Sequence, residues 1–545
     1  MVPHPSAGST DPLSHEVARR RTFAIISHPD AGKTTLTEKL LLYGGAVDLA
    51  GAVRARKTQH QVASDWMALE QERGISVTVS ALEMDYLGYR INLLDTPGHQ
   101  DFSEDTYRTL MAVDSAVMVL DSAKGIEPQT LKLFHVCRLR RLPILTFVNK
   151  LDRPGRDPLE LLDEIEHVLG MAAAPINWPI GSGPSFQGVY EFQSRRVLRF
   201  ERTEHGQRQA PVTVTDLHDP ALEALLGDDL CHDLREQTEL LTGAGTAFDR
   251  ERFLAGELTP VFFGSALTNF GVAAFFEALL DLAPAPQPRL AGAGVVAPTD
   301  EAFSGFVFKI QANMNPRHRD RMAFLRICSG RFYKDMMVHH ARRHQNVRLS
   351  RAYRLFARER ETITEAFPGD VIGIINPGLF AIGDTLSAGE HGCFEAIPRF
   401  EPEHFATLLN VDIAKHKQFA KGVAQLEEEG AIQVFFASDS PRREPILAAV
   451  GELQFDVVVA RLQEEYGVAT RVERLPYVHA RWLAAEAEAI EHMIWPTQGS
   501  LRCRDRANQV VALFASPWAM AYCQEKNPAI RFLETTGTSV EQKDS

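Results

Sequence analysis

The chain has 545 residues, 45% of them hydrophobic, with 71 acidic against 58 basic side chains and a formal charge of −13. This length is too great for one core and predicts several domains. The negative balance excludes a protein that coats nucleic acid through general electrostatics, so no DNA partner is expected and RNA is left to local basic patches.

The six cysteines (Cys137, Cys231, Cys328, Cys393, Cys503, Cys523) form no C-x-x-C pair. Neither a zinc site nor a disulfide framework is expected, and a cytoplasmic location is. Residues 1–13 are rich in Pro, Ser and Gly and lack the apolar centre of a signal peptide. No apolar run reaches membrane-spanning length, so no membrane partner is expected.

After an N-terminal extension over residues 1–20, short apolar runs alternate with amphipathic stretches. Phe23-Ala-Ile-Ile26 reads as a buried strand and Lys33 to Tyr43 as a helix. Residues 76–84 and 89–94 read as strands around Gly88, followed by buried strands at Val117-Met-Val-Leu120 and Pro143-Ile-Leu-Thr-Phe-Val148. The alternation predicts an α/β domain over 21–285 with a doubly wound, mostly parallel sheet, whose phosphate ligands bind at the carboxyl ends of the strands. An insertion interrupts it at about 170–255. A proline-rich linker over 286–299 leads to short strands that predict a β-barrel over 300–398. Mixed helices and strands over 399–535 predict an α+β domain, with a polar tail over 536–545. No internal repeat is evident.

Three polar runs directly follow apolar strands. Ser27-His-Pro-Asp-Ala-Gly-Lys-Thr34 fits the phosphate-loop pattern except for Ser27 in place of Gly. Gly32 permits close backbone approach, Lys33 reaches the β- and γ-phosphates, and Thr34 offers a hydroxyl to Mg²⁺, with Thr35 behind it on the helix. Ser27 suits the loop if its backbone angles are those of a non-glycine residue. Asp95-Thr96-Pro97-Gly98-His99 places an acid, backbone N–H groups and a histidine near a terminal phosphate, where His99 can orient attacking water. Asn149-Lys150-Leu-Asp152 reads guanine: Asp152 accepts from N1–H and the 2-amino group, Asn149 bonds the O6/N7 edge, and Lys150 packs along the base. Ser265-Ala266-Leu267 offers a backbone N–H to O6.

Between the first two runs, Glu70-Gln-Glu-Arg-Gly-Ile-Ser76 reads either as a solvated charged loop or as a segment that orders around the γ-phosphate. In the second reading Ser76 supplies a further hydroxyl to Mg²⁺, and Asp95 acts through a water. The basic stretch Arg342-Arg343-His344, Arg348, Arg351, Arg354, Arg358 and Arg360, interleaved with Tyr353 and Phe356, reads equally as a solvated strand face or an RNA-backbone contact.

In their order, S-H-P-D-A-G-K-T-T, R-G-I-S, D-T-P-G-H, N-K-L-D and S-A-L make this chain resemble the translational GTPases of the elongation factor G/Tu superfamily. Arg21 to Thr35, Ser64-Asp-Trp-Met67, Asp101 to Arg108, Gly305 to Met314 and Gln454 to Leu462 bring it nearest to the bacterial release factor 3 family. The likeness runs from about residue 15 to 480 and thins beyond Arg481.

The resemblance implies a phosphate-loop GTPase domain, a β-barrel and an α+β, ferredoxin-like domain, with Ser27 and Ser76 usual for the subfamily. It implies a GTP/GDP site over Ser27, His28, Pro29, Asp30, Ala31, Gly32, Lys33, Thr34 and Thr35. It also implies ribosome binding, with ribosomal RNA positioning His99 and with Pro29 and Ile75 as an apolar gate. The implied role is recycling of the stop-codon-reading class I release factors, without codon specificity, by a monomeric protein. The alternatives are a translocation or ribosome-protection GTPase like elongation factor G, and a GTP-gated assembly factor.

Overall fold

The computed structural model describes residues 11–44, 80–97, 101, 103–201, 212–292, 294–312, 321–356, 359–389, 392–395, 397, 401–438 and 444–534. A short helix α1 (Pro12–Ala18), capped by Asp11, leads into β1 (Arg20–Ser27), which is buried along its whole length. α2 (Lys33–Tyr43) follows, then the hairpin β2 (Ser80–Tyr86) and β3 (Tyr89–Asp95). α3 (Ser103–Met111), β4 (Ser115–Asp121), α4 (Pro128–Leu139), β5 (Ile144–Asn149), α5 (Pro158–Leu169) and β6 (Ala172–Pro175) continue the alternation. Proline at the start of α4 and α5 fixes a helical φ where no N–H is needed.

The sequence leaves this sheet at β7 (Asn177–Ile180), which pairs with β8 (Gly188–Glu191), β9 (Arg196–Phe200) and β10 (Val212–Asp216) in a separate antiparallel sheet. Three helices between Pro220 and Leu254 complete the insertion before β11 (Leu258–Phe263) returns to the main sheet. The main sheet has the order β2-β3-β1-β4-β5-β11-β6, parallel except for β2. The chain turns to opposite sides of β1, first to β3 and then to β4. That switch point puts a crevice at the carboxyl end of β1.

Among the described residues, eight of the ten strands from Ser304–Ala312 to Thr385–Ser387 form the second domain's curled antiparallel sheet around Val307, Leu325, Ile327, Ile372 and Leu386. It is cemented to the first domain by buried charge. Arg326 Nη2 lies 2.5 Å from Asp114 Oδ2, each side chain 1% exposed. Arg20 Nε stands 2.8 Å from Asp370 Oδ1, and Thr22 Oγ1 donates to the Gly369 carbonyl at 2.7 Å. Burial pushes the Asp370 carboxyl up, but the Arg20 guanidinium outweighs it and holds the group below its ordinary value.

The third domain contains a repeat that the sequence does not announce. Strands His404–Asn410, Gln433–Ala437, Pro445–Ala449 and Thr470–Leu475, with helices His416–Glu428 and Leu453–Tyr466, make a split β-α-β unit in the order fourth, first, third, second. Strands His479–Ala484, Ser500–Arg504, Val510–Phe514 and Arg531–Leu533, with helices Ala487–Glu491 and Pro517–Lys526, repeat it. The two second strands pair, Phe436 with Arg504 and Ala437 with Cys503, and fuse both units into one eight-stranded sheet. What repeats is topology, and different residues fill each core.

Candidate functional site

At the carboxyl end of β1 the backbone turns sharply. Asp30 has φ +68° and Gly32 φ +98°, while Ser27 is not among the residues with positive φ. The left-handed demand therefore falls on Asp30 and Gly32, and a serine fits at the first position. Ser27 is buried, and its Oγ donates to the His28 carbonyl at 2.9 Å. A Cβ on Gly32 would meet Asn149 Nδ2 at 2.2 Å, so this position has no room for a side chain.

α2 begins directly after Gly32, with no side-chain cap on its first N–H groups. Lys33 is buried at that end, and Thr34 and Thr35 are half-buried beside it. Uncapped N–H groups, the positive end of the helix dipole and a buried lysine together suit an anion. Lys33 Nζ donates to Asp95 Oδ1 at 2.6 Å, and Asp95 is itself 2% exposed. Thr96 Oγ1 holds the end of β3 by donating to the Ile25 carbonyl at 2.7 Å. Pro97 follows. Gly98 and His99, like Ile75 and Ser76, lie outside the described residues.

The donor set at this end, the Thr34 hydroxyl and the Asp95 carboxylate, is made of hard oxygens of the kind Mg²⁺ takes. Among the described residues no three His, Cys, Asp or Glu side chains gather as a self-sufficient metal cage.

A second cluster lies where β5 and β11 end side by side. Asn149 Nδ2 donates to the Ala31 carbonyl at 2.9 Å, and Asn149 Oδ1 accepts from the Ala266 N–H at 2.9 Å. Asn149 thus ties the phosphate loop to the 265–267 turn, and these bonds use one of its two amide N–H groups. Asp152 Oδ1 accepts from Ser265 Oγ at 2.6 Å. The Ser265 N–H donates to the Phe270 carbonyl and the Ala266 N–H to Asn149, whereas the Leu267 N–H has no such partner among the described residues. Lys150, at φ +69°, reaches Asp121 Oδ2 at 2.8 Å. The three polar runs thus meet at one edge of the sheet.

Two relationships carried no sequence signal. Asp101 Oδ2 accepts from the Leu453 N–H at 2.7 Å, capping the helix Leu453–Tyr466 from 352 residues away. Its packing is tight, since a Cβ on Gly451 would lie 2.1 Å from Asp101 Cγ. Arg108, paired with Glu104 and with Asp105 at 3.0 Å, also donates to the Gly430 carbonyl at 3.3 Å. The third domain therefore grips the first at Asp101 and along α3, directly after the Asp95–Pro97 turn.

Much of the basic stretch is committed within the protein. Arg342 reaches Asp384 Oδ1 at 2.5 Å, Arg343 the Gly378 carbonyl at 3.1 Å, and Arg348 Asp335 Oδ1 at 3.5 Å. Arg354 Nε lies 2.8 Å from Glu83 Oε2 on β2, which makes it part of the seam with the first domain. Arg358 and the side chains of Phe356 and Arg360 lie outside the described residues.

Family comparison agrees with this architecture domain by domain. Residues 18–285 match the elongation factor Tu GTP binding domain, 302–389 match elongation factor G domain 2, and 394–524 match the class II release factor RF3 C-terminal domain. The last match continues well past Arg481, where the motif likeness thins. Peptide chain release factor 3 of Gloeobacter violaceus is 58% identical over 527 residues, 96% of this chain and 99% of the relative. That of Symbiobacterium thermophilum is 56% identical over 525 residues, 96% of this chain and 99% of the relative. A crystal structure of a Thermus thermophilus protein shares the fold at a TM-score of 0.66 and 22% identity, over 90% of this chain and 71% of that one. The chain belongs to the peptide chain release factor 3 family of translational GTPases.

Proposed function

We propose that this release-factor GTPase is stimulated by the ribosome and promotes departure of class I release factors after peptide release, independently of the stop codon. It acts as a cytoplasmic monomer. The observation that carries the reading is the Asp101–Leu453 contact at 2.7 Å, which joins the segment after Pro97 to the third domain. A change at the phosphate end of β3 then has a direct route into the domain matched by the release-factor family.

In this reading Lys33 and the N-terminus of α2 hold the phosphates. Asp152, Asn149 and the Leu267 N–H select guanine. Thr34, Ser76 and, through a water, Asp95 would hold Mg²⁺, which would neutralise phosphate charge. His99 orients the hydrolytic water once ribosomal RNA positions it, and Pro29 and Ile75 gate its approach. The free protein therefore hydrolyses GTP slowly.

The test follows a labelled class I factor on termination complexes after peptide release. Faster departure with protein and GTP than with protein and GDP supports the reading. Equal departure under both conditions overturns it.

A further inference from the structure

His28 makes a contact that the nucleotide reading leaves unused. Its side chain is 14% exposed, and Nε2 is in close ion-type contact with Glu127 Oε2. Lys124 Nζ stands 3.1 Å from the same nitrogen and 3.7 Å from Glu127 Oε2. Lys124 and Glu127 lie between β4 and α4, on a turn fixed by Asp121. Its carbonyl accepts from the Gly125 N–H at 2.8 Å, and its Oδ1 accepts from the Ala123 N–H at 2.9 Å.

Glu127 occupies the position before α4, and its side chain bonds none of the helix N–H groups. It points across to the phosphate loop instead. Glu127 Oε2 is buried against the His28 ring, with the Lys124 ammonium 3.7 Å away. On the far side, the His28 carbonyl accepts from Ser27 Oγ and, at 3.3 Å, from the Ala31 N–H. Moving the His28 ring therefore moves the peptide that shapes the loop.

We propose that Glu127 is a positioning residue that braces the phosphate loop through His28 and thereby sets how long a bound guanine nucleotide is retained. This rests on the reading of the loop as a nucleotide site. Burial pushes the His28 ring below its ordinary value, Glu127 opposes that shift, Lys124 adds to it, and Asp30 and Asp121 oppose it. The imidazolium form is therefore disfavoured relative to a free imidazole, and the ring gains charge as the pH falls. A neutral ring bonds carboxylate or carboxamide alike, whereas an imidazolium is held far better by the carboxylate.

The experiment chases a fluorescent methylanthraniloyl-GDP from the full-length protein with unlabelled GDP, near pH 8 and near pH 5.5. Glu127→Gln should release the probe within about twofold of the parent rate near pH 8 and about fivefold faster near pH 5.5. Glu127→Asp should recover part of the difference. The exposed Lys124→Ala change provides an independent arm. It leaves His28 as the partner of Glu127, so the parent slope with pH should steepen. A Glu127→Gln to parent ratio that is the same at both pH values, with an unchanged Lys124→Ala slope, overturns the brace. Failure of the parent to bind the probe stoichiometrically overturns the nucleotide reading instead, so the two failures are distinguishable.

Discussion

Lys33 Nζ lies 2.6 Å from Asp95 Oδ1, with the two side chains 6% and 2% exposed. The lysine of the phosphate loop thus neutralises the acid at the end of β3, a charge that would otherwise be buried and unpaired. Lys33→Ala should weaken GDP and GTP binding by about tenfold to a hundredfold. It should also cost roughly 3 kcal/mol of stability without nucleotide. Calorimetric titration and chemical unfolding check the two effects. Affinity within twofold of the parent would show that the lysine serves only Asp95.

In the proposed reading the Asp152 carboxylate selects guanine, and Ser265 Oγ donates to it at 2.6 Å. Asp152→Asn replaces an acceptor with a donor toward the base. Affinity for GDP should fall about a hundredfold and affinity for XDP should rise, because xanthine presents the complementary edge. Competition binding with the two diphosphates measures this, and an unchanged guanine preference contradicts the assignment.

Asp114 and Arg326 are both buried in the seam between the first two domains, with Arg289 Nη2 3.7 Å from Asp114 Oδ1. Asp114→Asn leaves the Arg326 guanidinium without its counter-charge and should cost about 3–5 kcal/mol. Combining Asp114→Leu with Arg326→Met should recover part of that loss, because it removes both members of the pair while Arg289 still loses its counter-charge. Denaturant titration of the single and double variants distinguishes a needed charge pair from needed packing.

Asp101→Ala removes the cap of the helix Leu453–Tyr466 and should cost about 1 kcal/mol. GDP affinity should stay within about twofold, because the residue lies outside the phosphate cradle. Ribosome-stimulated turnover should fall by more than the stability loss explains. Equal turnover at saturating ribosomes would remove Asp101 from the coupling route.

How much of this was legible beforehand follows from the range of each interaction. Ser27 to Thr34 could be read because a phosphate loop is built from neighbouring residues, and the backbone angles at Asp30 and Gly32 fit that reading. The class of the three domains was legible from periodicity and linker composition. The bridging role of Asn149 was not, since Ala31 and Ala266 contribute backbone groups that leave no sequence signature. Arg354 looked like part of a basic face because its partner Glu83 lies in another domain. The doubled split β-α-β unit stayed hidden because strand order is a long-range property.

Ribosome dependence of GTP turnover tests the central claim most directly. With saturating GTP, the free protein should turn over slowly, and empty or termination-state ribosomes should raise the rate by orders of magnitude. His99→Ala should abolish the increase while leaving GTP affinity near that of the parent. A rate that ribosomes leave unchanged, or a His99→Ala protein that responds fully to them, would contradict the account.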